Sequence, residues 1–227
     1  FTLLMLIVIS VIVSSRYVWW RYSETLNPNS YTSVIFTWLL IIAETYAFIV
    51  MLLGYFQVCW VLDRKPASLP KDKERWPSVD IFIPTYNEPL DVVKPTVYAA
   101  LTVDWPKEKL NVYILDDGSR KEFKDFACEV GAGYIEREEH KHAKAGNINH
   151  AMGITKGDFI AIFDCDHVPV KTFLQKTMGW FLKDEKIALV QTPHHFYSQD
   201  PFEKNLHLKE NVPNENSLFH DFIQKGN

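Results

Sequence analysis

The first 63 residues contain only Arg16, Arg21, Glu24, Glu44 and Asp63 as charged side chains, whereas residues 64–227 hold the other 22 basic and 25 acidic ones. A chain divided in this way does not fold as one evenly mixed globule. The apolar run from Phe1 to Val13 is followed by Arg16, Tyr17, Trp19, Trp20 and Arg21, an aromatic and basic anchor suited to a membrane interface. The second run, Val34 to Leu62, has Glu44 as its only interior ionisable group and is long enough to cross a hydrocarbon core of ~30 Å. A polar turn, Tyr22 to Ser33, with Asn27, Pro28 and Asn29, lies between them. The pattern predicts a transmembrane hairpin over residues 1–63, with two buried helices of a soluble bundle as the alternative. A cleavable signal peptide would need a basic start and a small-residue cleavage site, and this run has neither. Because the chain opens on Phe1 within an apolar run, it is expected to begin inside a longer polypeptide.

Arg64, Lys65, Lys71, Lys73 and Arg75 follow the second run, against Arg16 and Arg21 at the turn. The positive-inside rule then places the C-terminal part in the cytoplasm. Glu44 at membrane depth is costly unless it faces another helix or an aqueous path. Thr45 and Tyr46 beside it favour interhelical hydrogen bonding over a role in transport.

The whole chain is 47% hydrophobic and 14% aromatic with a net charge of −4, which excludes a disordered polypeptide. The mixed charges also exclude a clustered phosphate-binding stripe, so no nucleic-acid partner is expected. Cys59, Cys128 and Cys165 are odd in number and far apart, giving neither a disulfide framework nor a paired-cysteine metal site.

Pro66, Pro70 and Pro77 mark residues 64–78 as a linker, with a globular domain over 79–227. Strand-like runs at Val79 to Pro84, Val112 to Leu115, Tyr134-Ile135, Phe159 to Phe163 and Ala188 to Val190 alternate with helical stretches. Those helices are expected at Leu90 to Val103, Lys121 to Val130, Asn147 to Ile154 and Lys171 to Leu182. This alternation predicts an α/β fold, a mostly parallel sheet with helices on both faces.

In such a sheet, ligands sit at the carboxyl ends of the strands. Polar clusters occupy those places: Thr85-Tyr86-Asn87-Glu88, Asp116-Asp117-Gly118-Ser119, Asp164-Cys165-Asp166-His167 and Gln191-Thr192-Pro193-His194. One such cluster alone is equally well a helix cap or turn; four in the expected positions point to a site. Asp164 and Asp166, alternating on an extended segment, offer hard oxygen ligands to Mg²⁺ or Mn²⁺, which in turn bridges phosphate oxygens. Lys144-Ala145-Gly146-Asn147, just before the expected helix at Asn147, places an ammonium and helix-terminal amides near the same phosphates. The spacing is not that of a Walker A loop. His140, Lys141 and His142 lack partners at zinc-site spacing and read as a solvated loop. Cys165 reads as a small packing residue, and Trp105 and Trp180 as core residues. The stretch Lys209 to Asn216 reads as a loop.

The ordered set PTYNEP (84–89), LDDGS (115–119), HAKAGN (142–147), FDCDHVP (163–169) and VQTPH (190–194) resembles the family 2 glycosyltransferases of GT-A type, and among them is similar to the bacterial cellulose synthase catalytic subunits. The resemblance covers nearly the whole chain, hairpin included. It implies a Rossmann-like GT-A domain that takes UDP-glucose and transfers glucose, with inversion, to the 4-hydroxyl of a growing β-1,4-glucan. By the same resemblance, Thr85, Tyr86, Glu88, Asp116 and Asp117 contact the uridine, and Lys144 meets the diphosphate. Asp164 and Asp166 bind the metal, with His167 near the sugar, and Gln191, Thr192 and Pro193 lie by the donor sugar and acceptor end. It further implies a multi-pass protein of the bacterial inner membrane, with the catalytic domain cytoplasmic and a periplasmic partner subunit. The family's TED segment, which holds the general base, its QxxRW segment, its later membrane helices and its PilZ domain all fall beyond Asn227. The 227 residues alone are therefore expected to bind donor without polymerising glucan. Two other readings stay open: a synthase for hyaluronan, chitin, curdlan or a mannan, and a membrane subunit that binds nucleotide sugar without catalysis.

Overall fold

The computed structural model describes residues 2–26, 30–59, 64–195 and 204–205. The chain divides into two compact units, residues 65–190 and the remainder.

In the N-terminal part, helices α1 (Thr2–Glu24) and α2 (Tyr31–Cys59) run for 23 and 29 residues. At 1.5 Å per residue they are about 35 and 44 Å long, and both are long and apolar enough to cross a membrane. Most of their apolar side chains are exposed, and only Ile7 and Ile41 are buried. Small polar contacts join the two antiparallel. Ser10 meets Tyr55 at 2.7 Å, Tyr22 meets Thr45 at 2.7 Å, and Arg21 Nε donates to Glu44 Oε2 at 2.6 Å. Tyr17 Oη donates to the other Glu44 oxygen at 3.2 Å. Glu44 is thus an interhelical partner, which meets the requirement that a carboxylate at such a position be paired. Asn27, Pro28 and Asn29 of the expected turn, and Asp63, lie outside the described residues.

The second unit is built on β1 (Val79–Thr85), β2 (Leu110–Asp116), β3 (Gly133–Ile135) and β4 (Phe159–Ile162). All pairings are parallel, in the order β3-β2-β1-β4. Every residue of β1 is buried, as befits an inner strand of a sheet covered on both sides. Alternate residues serve opposite faces. Ile81 and Ile83 join a large core with Val93 and Val97 of α3 (Leu90–Leu101), Phe123 and Phe126 of α4 (Lys121–Val130), and Leu174 and Met178 of α6 (Phe173–Lys183). Phe82 joins Leu115, Ile135 and Ala151 of α5 (Ala143–Ile154) in a smaller one. One helix therefore covers one face and three cover the other. Phe82 is wholly buried and meets Tyr113 edge-on at 6.0 Å. Phe82→Ala is expected to cost about 3–5 kcal/mol, read as a shift in the urea unfolding midpoint with unchanged slope.

Three details differ from the sequence expectation. The run Ala188 to Val190 forms no strand; its backbone is irregular and Leu189 is largely exposed. A short apolar run becomes a strand only when a neighbour completes its ladder, and in the described sheet β4 pairs with β1 alone. Helix α5 begins four residues before Asn147, so Lys144 and Gly146 lie inside its first turn. Glycine is unfavourable inside a helix, yet an added Cβ at Gly146 would collide with the Lys141 carbonyl and with Arg137 Nη1. Close approach is the reason for that glycine. Finally, the proline-bearing residues 65–78 belong to the same compact unit as the sheet. Trp76 is buried, its ring lies 4.5 Å from that of Trp105, and its Nε1 donates to the Pro70 carbonyl at 2.8 Å.

Candidate functional site

Register brings the expected clusters together. Thr85 pairs with Asp116 across β1 and β2, and Phe163 N–H continues the β4 side by donating to the Phe82 carbonyl at 3.0 Å. The carboxyl ends of three strands therefore open on one edge. Pro84, Thr85, Tyr86, Glu88, Asp117, His140, Ala143, Lys144 and Asn147 line a cavity of about 340 Å³ there.

Glu88 Oε2 accepts from Tyr86 N–H at 2.8 Å and from Thr85 Oγ1 at 2.9 Å. The Tyr86 amide is the main reason its carboxyl lies below the usual range, because hydrogen bonds to the charged form favour that form. The turn therefore presents an ionised acceptor at neutral pH, while Tyr86 leaves its ring exposed at the rim.

Asp116 and Asp117 have different surroundings. Asp116 is wholly buried, does not line the cavity, and accepts from Gly118 N–H (3.0 Å), Arg120 N–H (2.7 Å), Arg120 Nε (3.1 Å) and Nη2 (2.8 Å), and Tyr134 Oη (3.0 Å). Burial, and then the Asp116 charge, raises the Tyr134 phenol. Arg120 also donates to the Glu88 carbonyl at 2.5 Å and to Thr85 Oγ1 at 3.0 Å, with its guanidinium 3.6 Å from the Phe123 ring centre. Asp116 thus braces the turns that follow β1 and β2. Asp117 does line the cavity, and it accepts a two-pronged bond from Arg137, Nε at 2.5 Å and Nη2 at 2.7 Å.

Arg137 is buried and also donates to the carbonyls of Lys141 (2.7 Å) and Ala143 (2.9 Å). His142 and Ala143 have φ of 63° and 44°, a left-handed backbone uncommon for residues with a Cβ, and those carbonyl contacts lie on either side of it. The guanidinium thereby fixes where α5 starts and where Lys144 departs. Asn147 Nδ2 donates to the Leu115 carbonyl at 2.9 Å, tying α5 to β2.

On the far side, Thr96 Oγ1 donates to the Cys165 carbonyl at 2.8 Å, anchoring the segment after β4 to α3. Cys165 is buried, and burial pushes its thiol up to about 11, so it is an unreactive packing residue. Asp164 and Asp166 keep side-chain exposures of 45% and 65%. His167 lies beside both, Nδ1 at 3.9 Å from Asp164 and Nε2 at 3.7 Å from Asp166. Lys144 Nζ is ion-paired with Asp164 Oδ1. Among the described residues no group of three or more His, Cys, Asp and Glu side chains is arranged to hold a metal ion. Two exposed carboxylates with open sides nevertheless suit a hard cation that takes its other ligands from phosphate and water, and a cationic ammonium already sits against one of them. Gln191, Thr192 and Pro193 belong to the other unit, in irregular backbone.

Sequence reasoning assigned no role to Arg120, Arg137 or Asn147, of which only Asn147 carried a signal, as the last letter of HAKAGN. His140, expected in a solvated loop, instead lines the cavity with Nδ1 3.8 Å from Asp117 Oδ1.

A parallel α/β sheet with acidic, basic and aromatic side chains gathered at its carboxyl edge is the framework on which open α/β proteins place their ligands. Residues 80–226 match Glycosyl transferase family 2, and the chain belongs to that family. It is 54% identical over 225 residues to the cellulose synthase catalytic subunit (UDP-forming) of Xanthomonas axonopodis pv. citri (strain 306), covering 99% of this chain and 31% of that protein. The corresponding subunit of Pseudomonas fluorescens (strain SBW25) is 51% identical over 99% of this chain and 30% of its own length. Cellulose synthase 2 of Novacetimonas hansenii is 53% identical over 98% of this chain and 14% of its own. The chain thus spans a third or less of the length of these relatives. The solved structure of mannosyltransferase PcManGT from Pyrobaculum calidifontis, in complex with GDP-Man and Mn²⁺, aligns at 23% identity with a TM-score of 0.45, over 63% of this chain and 41% of that one.

Proposed function

We propose that the chain is the donor-binding part of a membrane-bound processive glycosyltransferase, which moves glucose from UDP-glucose to the 4-hydroxyl of a β-1,4-glucan with inversion. The observation that carries this reading is the cavity at the carboxyl ends of β1 and β2, where Tyr86, Glu88, Asp117 and Lys144 meet beside Asp164. The relatives named above, cellulose synthases by name, support the choice of polymer.

In this account the Tyr86 ring, Thr85, ionised Glu88 and Asp117 hold the uridine, with Asp116 bracing them from behind. Lys144 and the first-turn amides of α5 receive the diphosphate. Asp164 and Asp166 would hold Mg²⁺ or Mn²⁺, whose charge would stabilise the departing diphosphate. His167, Gln191, Thr192 and Pro193 lie by the glucose and the acceptor end. The acceptor oxygen forms its bond to the anomeric carbon as the bond to UDP breaks, and a general base takes the hydroxyl proton.

Residues 1–63 form a membrane hairpin, 64–78 connect it, and 79–227 belong to the catalytic domain. That domain lies on the cytoplasmic side of a bacterial inner membrane, in a multi-pass protein with a periplasmic partner subunit. Arg64, Lys65, Lys71, Lys73 and Arg75 after α2 support that orientation. Calorimetric titration of the detergent-purified chain with UDP-glucose, UDP-N-acetylglucosamine and UDP-glucuronate, each with and without Mn²⁺, tests the reading. Cation-dependent binding that favours UDP-glucose is expected. Preference for another sugar would point to another polymer, and no binding of any donor by folded protein would overturn the assignment.

A further inference from the structure

Lys144 and Asp164 are given different tasks by the proposed function, on which this inference rests: one receives the diphosphate and the other holds the cation. In the structure they hold each other. They come from different elements, the first turn of α5 and the segment after β4, and each side chain is about half exposed, 51% for Lys144 and 45% for Asp164. Lys144 also lines the cavity. Its backbone is fixed, since Arg137 binds the Ala143 carbonyl directly before it, so a change of partner needs only rotation of a flexible four-carbon stem.

We propose that Lys144 is the resident cation of Asp164, that a divalent cation binds there only by displacing it, and that the displaced ammonium turns to the diphosphate in the adjoining cavity. An ammonium on a carboxylate oxygen occupies a lone pair the cation needs and adds like-charge repulsion. Without nucleotide, Lys144 therefore weakens cation binding. With nucleotide, the phosphates draw the ammonium away and Asp164 becomes open. Nucleoside diphosphate and cation then strengthen each other's binding through this exchange, in addition to any direct bridge between them, and the strengthening is reciprocal. Lys144 is a positioning residue in this step.

The test measures Mn²⁺ binding to the detergent-purified chain by electron paramagnetic resonance of the free ion, with and without UDP. Exposed pairs of this kind are modest, so Lys144→Met is expected to bind Mn²⁺ about threefold more tightly than wild type when UDP is absent. The gain in Mn²⁺ affinity caused by UDP should shrink by at least that factor. Lys141→Met removes the same charge from an exposed side chain paired with Glu139 and should leave Mn²⁺ affinity unchanged, while Asp164→Asn should lose most of it. If wild type binds Mn²⁺ and UDP but Lys144→Met binds Mn²⁺ no more tightly, the exchange is wrong and the proposed function stands. Equal tightening in Lys141→Met would also overturn it, as an effect of overall charge. If wild type binds neither Mn²⁺ nor UDP, the proposed function falls as well.

Discussion

Asp164→Ala is expected to lower UDP affinity at saturating Mn²⁺ by about 100-fold, because a metal clamp on a diphosphate contributes several kcal/mol. Asp166, with its carboxylate 65% exposed, is left as a lone protein ligand, and one carboxylate holds a divalent cation poorly. What remains is the contact of Lys144 and the α5 amides with the phosphates, which needs no metal. Residual binding of the variant should therefore be the same with Mn²⁺ and with EDTA, whereas wild type should lose affinity in EDTA. Calorimetry under both conditions reads the difference. Wild-type affinity that ignores EDTA would remove the metal from the account and leave Asp164 only as the partner of Lys144.

Arg137→Met is expected to destabilise the folded chain by about 3–5 kcal/mol, the range for removing one partner of a buried ion pair. Asp117 would keep its charge with its two-pronged donor gone, and the Lys141 and Ala143 carbonyls would each lose one as well. Arg137→Lys keeps the charge but cannot reproduce the planar fork, so an intermediate loss is expected. Pairing Arg137→Met with Asp117→Asn should cost less than the sum of the two single changes, because the second removes the charge that the first leaves bare. Urea unfolding followed by tryptophan emission measures all four proteins, since Trp76 and Trp105 lie buried together in the globular unit. A single-variant loss under about 1 kcal/mol would mean that Asp117 finds another partner or water.

Most of the sheet was legible because its strands are apolar runs bounded by proline, glycine and acidic residues. α4 matches its expected bounds, Lys121 to Val130, since Gly131 closes it in the left-handed conformation that glycine favours. The start of α5 was hidden, because Gly146 breaks helices in isolation and only tertiary contact with Lys141 and Arg137 makes it necessary. Ala188 to Val190 was illegible for a related reason, since apolar composition does not specify whether a partner strand exists. Thr85, Tyr86, Glu88, Asp117 and Lys144, which the sequence singles out by their places after strands and in the motifs, all line the cavity, and Asp164 is ion-paired with Lys144. Asp116 and Asp117 looked alike as letters, and both are buried; only the fold shows that Asp117 lines the cavity and Asp116 does not. Arg137 gave no signal, because a buried arginine bound to a carboxylate 20 residues away is indistinguishable in sequence from a solvated surface charge.

The central claim is that the edge formed by β1, β2 and α5 holds a nucleotide diphosphate, with a cation at Asp164. Its most direct measurement is a structure of the chain with UDP and Mn²⁺ bound, using the anomalous signal of manganese to locate the ion. The account predicts uridine in the cavity beside Tyr86, Glu88 and Asp117, the diphosphate against Lys144, and manganese on Asp164 and Asp166. Nucleotide bound elsewhere, or manganese away from both carboxylates, would contradict it.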